Sequence, residues 1–195
     1  MKLRKIIGIT ALTLIVALGF EGCKSKEKVS AKSAVGQIID DMPCTKEGRS
    51  DRKFFRASSM ATSTDMQLSK EKALLLAKQR LVTLIQSTTK SVTDRYISER
   101  GFSDVSEVES KFENITREVA DQTLSNIVVA CEKSSVMDNG KYNSFIAIEV
   151  DRDDIKNGMD RRMSNDKKLQ VDYDKKKFEE IFDQEMEKMR EERGY

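Results

Sequence analysis

Between Ala73 and Tyr96 the chain repeats one pattern too regularly for a loop. Ala73, Leu74, Ala77, Leu81, Leu84, Ile85, Thr88, Val92 and Tyr96 recur at spacings of three and four, one stripe along one helical face. Lys70, Lys72, Lys78, Arg80 and Lys90 fall largely away from it. The spacing predicts a helix from about Asp65 to Arg100, with Thr64 as its cap and Gln67 as the capping-box partner. Gly101 stops it as a C′ glycine. A helix of roughly 30 residues is about 45 Å long, so it needs a sheet or a second helix along most of its length.

The neighbouring segments supply that cover. Lys53 to Met60 reads as a first strand, with Phe55 and Ala57 on one face and Phe54 and Arg56 on the other. Ser103 can cap a second helix over Asp104–Ser125, whose apolar positions are Val105, Val108, Phe112, Ile115, Val119 and Leu124. Two strands follow, Asn126 to Met137 and Lys141 to Val150, joined by Asp138-Asn139-Gly140, where the Asn-Gly pair signals a type I′ turn. A short helix starts near Asp153, its carboxylates opposing the positive helix end. The same acidic run fails as a calcium loop, because Ile155 stands where an oxygen ligand is needed. The expected fold is α+β: two layers, an antiparallel sheet of about three strands covered by the long helix and the second helix in the order β-α-α-β-β-α, plus a charged C-terminal helix.

The formal charge is only +2. Removing Lys2, Arg4 and Lys5 together with Glu21 balances the two signs, which gives no long-range attraction for polyanions and argues against nucleic-acid binding. The chain has no histidine. That removes serine–histidine and cysteine–histidine catalysis and the usual zinc ligands. Glu107, Glu109, Glu113 and Glu118 crowd the second helix, and a solvated face is the simpler reading of them than paired acid–base carboxylates. No catalytic residue, metal or cofactor is assigned.

At the N-terminus Lys2, Arg4 and Lys5 precede an uncharged run from Ile6 to Phe20, the layout of a secretory signal. Fifteen such residues would reach only about 22 Å as a helix, short of the roughly 30 Å hydrocarbon core. Gly22 and Cys23 at its end resemble a bacterial lipoprotein signal, in which the cysteine is acylated and becomes the first residue. Residues 1–22 are then the signal, and 23–48 the lipidated cysteine and a polar tether. Lys24 after the cysteine favours the outer membrane of a cell envelope, by analogy with lipoprotein sorting.

Cys44 and Cys131 remain as a pair. They form either a disulfide across nearly ninety residues, fitting an oxidising compartment, or two free buried thiols; counting thiols under denaturing, non-reducing conditions decides.

Phe54-Phe55-Arg56-Ala57-Ser58, followed by Ala73, Leu74, Ala77 and Leu81 at alanine-spaced helical positions, resembles the LPP-twenty family of bacterial lipoproteins. The resemblance covers roughly Arg52 to Asp154. It implies a strand–helix–helix–strand–strand core, related to a domain of flagellar protein T, on a lipid-anchored envelope protein. Ser59 stands where the family often has glycine, and no tryptophan lies near Val136. The resemblance implies no catalytic residues.

The domain is expected over 49–163, with 164–195 as a charged amphipathic tail, helical from about Tyr173. Its stripe of Phe178, Phe182, Met186 and Met189 either binds an envelope partner or a second copy, or docks on the chain's own domain. Functionally the pattern reads as a non-enzymatic, lipid-anchored envelope protein displaying an interaction domain of unidentified ligand. The alternatives are a histidine-free, carboxylate-dependent hydrolase and a structural subunit that oligomerises through its tail.

Overall fold

The computed structural model describes residues 42–192, so the signal segment, Cys23 and the tether as far as residue 41 lie outside the described residues. In chain order the elements are β1 (Phe54–Ser63), α1 (Met66–Arg100), α2 (Val105–Thr123), β2 (Val128–Val136), β3 (Tyr142–Asp151), α3 (Arg152–Asn165) and α4 (Lys175–Glu192). The architecture is the expected α+β one. The strands form one antiparallel sheet in the order β1-β3-β2, with Phe55 opposite Val150, Ala57 opposite Ile148 and Ser59 opposite Ile146.

The stripe on α1 lies on the face of the sheet that carries those residues, and its small members decide how closely. Ala73 and Ala77 are fully buried, leaving room for helix and sheet backbones to approach. Ser59 Oγ donates to the Ala73 carbonyl at 2.5 Å, and the Ser69 and Ser144 hydroxyls share a hydrogen bond of 2.5 Å. Both seams are buried, so these hydroxyls need their partners.

A 10-residue strand spans about 33 Å, whereas the 35 residues of α1 span about 52 Å. The last third of α1 therefore outruns the sheet, and α2 and α4 cover it. Tyr96 sits at that junction, its ring centroid 5.8–6.1 Å from those of Phe102, Phe112, Tyr173 and Phe178. Thr88 and Thr89, buried in the same stretch, return their hydroxyls to the carbonyls of Leu84 and Ile85, at 2.9 and 2.7 Å. On α3, Ile155, Met159 and Met163 are fully buried. Gly158 lets α3 close on α2, since a Cβ there would stand 3.1 Å from Val119 Cγ1.

Several local expectations are corrected. The cap of α1 is Asp65, which accepts from the Leu68 N–H at 2.7 Å, and Gln67 turns to Glu71 instead of back to the cap. Asp104, not Ser103, caps α2 by accepting from Glu107 N–H. In both places a carboxylate next to the hydroxyl residue takes the role, favoured by the positive helix end. The hairpin turn is not type I′, which needs positive φ at both central residues. Among the three loop residues only Gly140 has positive φ, at 75°. Gly140 N–H donates to the Met137 carbonyl and Met137 N–H to that of Lys141, a three-residue loop closed by a left-handed glycine.

The tail stripe is spent within the chain. Phe178 and Phe182 are fully buried, and Met186 and Met189 nearly so, beside Leu81, Leu84, Val92 and Tyr96 in one core. Docked this way, those four side chains pack on the chain's own domain. If α4 contributes to the core as this packing requires, Phe182→Ala should lower stability by about 3–5 kcal/mol in urea unfolding. A value near zero would mean that the helix is undocked in solution.

Candidate functional site

The outer face of the sheet, opposite α1, is crossed by the turn that opens the described chain. Cys44 and Cys131 are bonded, with their Cα atoms 5.5 Å apart and 87 positions between them in sequence. Strand parity explains how Cys131 reaches that face. Val129 pairs with Ile148, whose side chain lies under α1, so two residues on Cys131 should point inward as well. A bulge at Ala130 shifts the register instead, and Cys131 pairs with Ala147 on the outer face. Cys44 takes φ of 63°, which a non-glycine residue rarely adopts. Further along the turn, Gly48 lies against Ser58, where a Cβ would come within 2.4 Å of the serine Cβ, so no larger residue fits unmoved.

The same turn closes the start of the β1 edge. Asp51 exchanges backbone bonds with Phe54: its N–H donates to the Phe54 carbonyl at 3.0 Å and its carboxylate accepts from Phe54 N–H at 2.8 Å. Ser50 Oγ accepts from Arg56 N–H and donates to the Arg56 carbonyl, at 2.8 and 3.2 Å. From α1, Arg80 donates to the Ser58 carbonyl at 2.7 Å. In an antiparallel strand every second residue directs its backbone groups to one side, so these three are successive outward positions, the first two occupied at both groups and Ser58 at its carbonyl. Arg56 itself bridges Asp51 and Glu149, at 2.5 and 2.6 Å, with its guanidinium over the Phe54 ring. Burial alone would raise the Asp51 carboxyl, but the N–H groups of Lys53 and Phe54 and the charge of Arg56 outweigh it and hold its pKa below the ordinary value.

The opposite edge, β2, is treated differently. Every residue of it except Cys131 is exposed, Val128 and Val136 by 58% and 67%. The Met137–Lys141 bond at the hairpin end fixes which residues face β3: 131, 133 and 135 do, and Glu132, Ser134 and Val136 direct their N–H and carbonyl groups outward. No partner occupies these outward groups among the described residues. Glu132 carries an ion pair with Lys70 at 2.6 Å, whereas Lys133 has none among the described residues.

Two other features gather titratable side chains. Between α1 and α2 lies an open polar groove of about 360 Å³, lined by Lys90, Asp94, Glu109, Glu113 and Arg117 among others and by no aromatic ring. It gathers three carboxylates, while Glu107 and Glu118 turn away to ion pairs with Lys168 and Arg162. The second feature is a buried anchor: Asp160 on α3, 8% exposed, accepts from Tyr173 Oη and Lys175 Nζ, both at 2.8 Å. Burial alone would raise this carboxyl, and the two donors with the lysine charge reverse the sign. Burial and the bond to Asp160 push the Tyr173 hydroxyl well above an ordinary phenol. This cluster ties the start of α4 to α3. The acidic run before it is a cap: Asp151 accepts from Asp153 N–H at 2.8 Å, with Asp153 and Asp154 in the first turn of α3.

Among the described residues no group of side chains is arranged to hold a metal ion, and no helix is long and apolar enough to cross a membrane. Of the residues singled out by sequence, Cys44 and Cys131 are joined, the tail quartet is buried, and Cys23 lies outside the described residues. Sequence reasoning missed the exposed β2 edge. Its signal was the run Glu132-Lys133-Ser134-Ser135, which has no apolar member on either face. Compared with family models, with curated proteins and with solved structures, the chain matches none.

Two outcomes follow from these contacts. Reducing the Cys44–Cys131 bond should cost about 4.6 kcal/mol by the chain-entropy relation for a loop of this length, read from urea midpoints with and without dithiothreitol. Asp160 has a folded-state pKa below its unfolded value of 3.8, so its contribution is complete above that value and is lost as pH falls through the folded one. Asp160→Asn should therefore destabilise at pH 7 and flatten the acid limb of the stability curve; an unchanged acid limb would rule out this role.

Proposed function

We propose that the chain is a non-enzymatic, lipid-anchored protein of the bacterial cell envelope, held at the outer membrane by acyl chains on Cys23, that displays its α+β domain for binding. The observation that carries this reading is the Cys44–Cys131 bond. Disulfides persist in oxidising compartments, which is where a signal ending in Gly22-Cys23 would deliver the chain. Acyl chains on one cysteine supply about 0.8 kcal/mol per buried methylene, and several chains together make a stable anchor. Membership of the LPP-twenty family belongs to the same proposal. The order strand–helix–helix–strand–strand over residues 54–151 supports it. An interaction role is supported by three exposed apolar side chains on one strand, Val128, Val129 and Val136 of β2.

A second reading, a histidine-free hydrolase, is favoured by the groove that gathers Asp94, Glu109 and Glu113. It requires that the purified chain cleave an envelope polymer and that Glu113→Gln abolish the cleavage. The groove's lack of an aromatic platform for a sugar ring, and its openness to water, favour the binding role.

Radiolabelled palmitate should enter the wild-type chain and not Cys23→Ser. Equal labelling of both, or none of either, would overturn the anchor.

A further inference from the structure

Resting on the reading of the domain as an interaction module, we propose that β2 is a strand-addition site that takes an extended, acidic segment of a different polypeptide as the fourth strand of the sheet. The two edges of the sheet set up the contrast. On β1 the outward N–H and carbonyl groups of Phe54 and Arg56 are occupied by Asp51 and Ser50, and the Ser58 carbonyl by Arg80. On β2 the outward positions Glu132, Ser134 and Val136 present backbone donors and acceptors that a fourth strand would pair. The sheet thus defends the Phe54–Ser58 half of its β1 edge from pairing and offers β2.

Charge selects the occupant. A second copy would pair with β2 about a two-fold axis perpendicular to the sheet, which keeps inner faces together and allows only registers that oppose residues of the same face. Centred on Glu132 or on Lys133, such a pair sets like charges directly opposite each other, which is destabilising. Centred on Ser134, it sets Glu132 against Val136 twice and gives Lys133 only a serine. A different chain escapes this restriction. Glu132 has an ion-pair partner in Lys70 at 2.6 Å, so the charge left without one among the described residues is Lys133 on the outer face. The complementary segment alternates apolar residues, beside Val129 and Val136 on the inner face, with carboxylates on the outer face.

The test uses the full chain in detergent and two probes, the peptides Thr-Val-Glu-Val-Glu-Val-Thr and Thr-Val-Lys-Val-Lys-Val-Thr, read by titration and by amide hydrogen exchange. The acidic peptide should slow exchange at Glu132, Ser134 and Val136 and leave β1 unchanged, and it should bind more tightly than the basic one. Lys133→Glu should weaken the acidic peptide about fivefold and invert the preference. Val136→Pro removes one outward N–H at an edge position that tolerates proline, and should abolish the protection while the helical circular dichroism is retained. Absence of protection by either peptide, or an affinity indifferent to Lys133→Glu, would overturn the site. So would protection of β2 that rises with protein concentration alongside a doubled mass in sedimentation, which would make a second copy the occupant. Peptide binding that fails while palmitate labelling of Cys23 succeeds removes the strand site alone; the reverse removes the anchor alone.

Discussion

A helix longer than the sheet it covers sets the terms for everything else in this chain. The first two thirds of α1 spend their stripe on β1 and β3, where alanines and serines allow close approach. The last third carries equally apolar positions past the end of the strands, and leaving them in water would forfeit about 1.5–3 kcal/mol for each large side chain. Two further helices, α2 and α4, are recruited to that overhang, and Tyr96 is the point where they meet. Its ring packs against four others, and its hydroxyl accepts from the Asp174 N–H at 2.7 Å, at the start of α4. The order of elements after α1 follows from covering both halves of one helix.

This constraint also accounts for what was legible in the sequence and what was not. A periodic stripe reports that a helix has a buried face; it does not report what buries it. The identity and limits of α1 could therefore be read from Ala73 to Tyr96, and the alternation from Tyr142 to Val150 located β3. The destination of Phe178, Phe182, Met186 and Met189 could not be read, because a stripe that docks at home and one that docks on a partner look the same until the overhang of α1 is seen to need cover. Local competition hid smaller features. Thr64 and Asp65, like Ser103 and Asp104, are adjacent capping residues, and only backbone geometry decides which side chain reaches the third N–H. Asn139-Gly140 signalled one turn type, but a third loop residue, Asp138, allowed another with a single left-handed position.

The candidate site depended on parity, which one inserted residue reverses. Alternation along β2 puts Cys131 on the helix-covered face, out of reach of a turn on the other side. The bulge at Ala130 turns the cysteine outward, and no residue type in Val-Val-Ala-Cys announces a bulge. From Cys131 onward the bulge also determines which face each residue occupies. Glu132 then meets Lys70 from α1, and Lys133 is directed to the outer face without an ion pair among the described residues. A single backbone irregularity therefore positions both the disulfide and the charge that distinguishes the exposed edge.

Stability and accessibility are separated across this sheet instead of competing within it. The inner face of β1 and β3 is closed by α1, the outer face near Ser58 and Ala147 by the disulfide-held turn, and the β1 edge from Phe54 to Ser58 by Ser50, Asp51 and Arg80. Each closure ends at β3 or at Cys131. Beyond them β2 contributes its ladder bonds to β3 and little buried side-chain area, so its exposed residues can change without a cavity forming elsewhere. An edge strand held rigid on one side by a fully packed neighbour loses little additional backbone entropy when a second strand pairs on the other. That preorganisation is what a binding strand requires, and the bond from Cys44 to Cys131 strengthens it at the point where the bulge would otherwise let the strand fray.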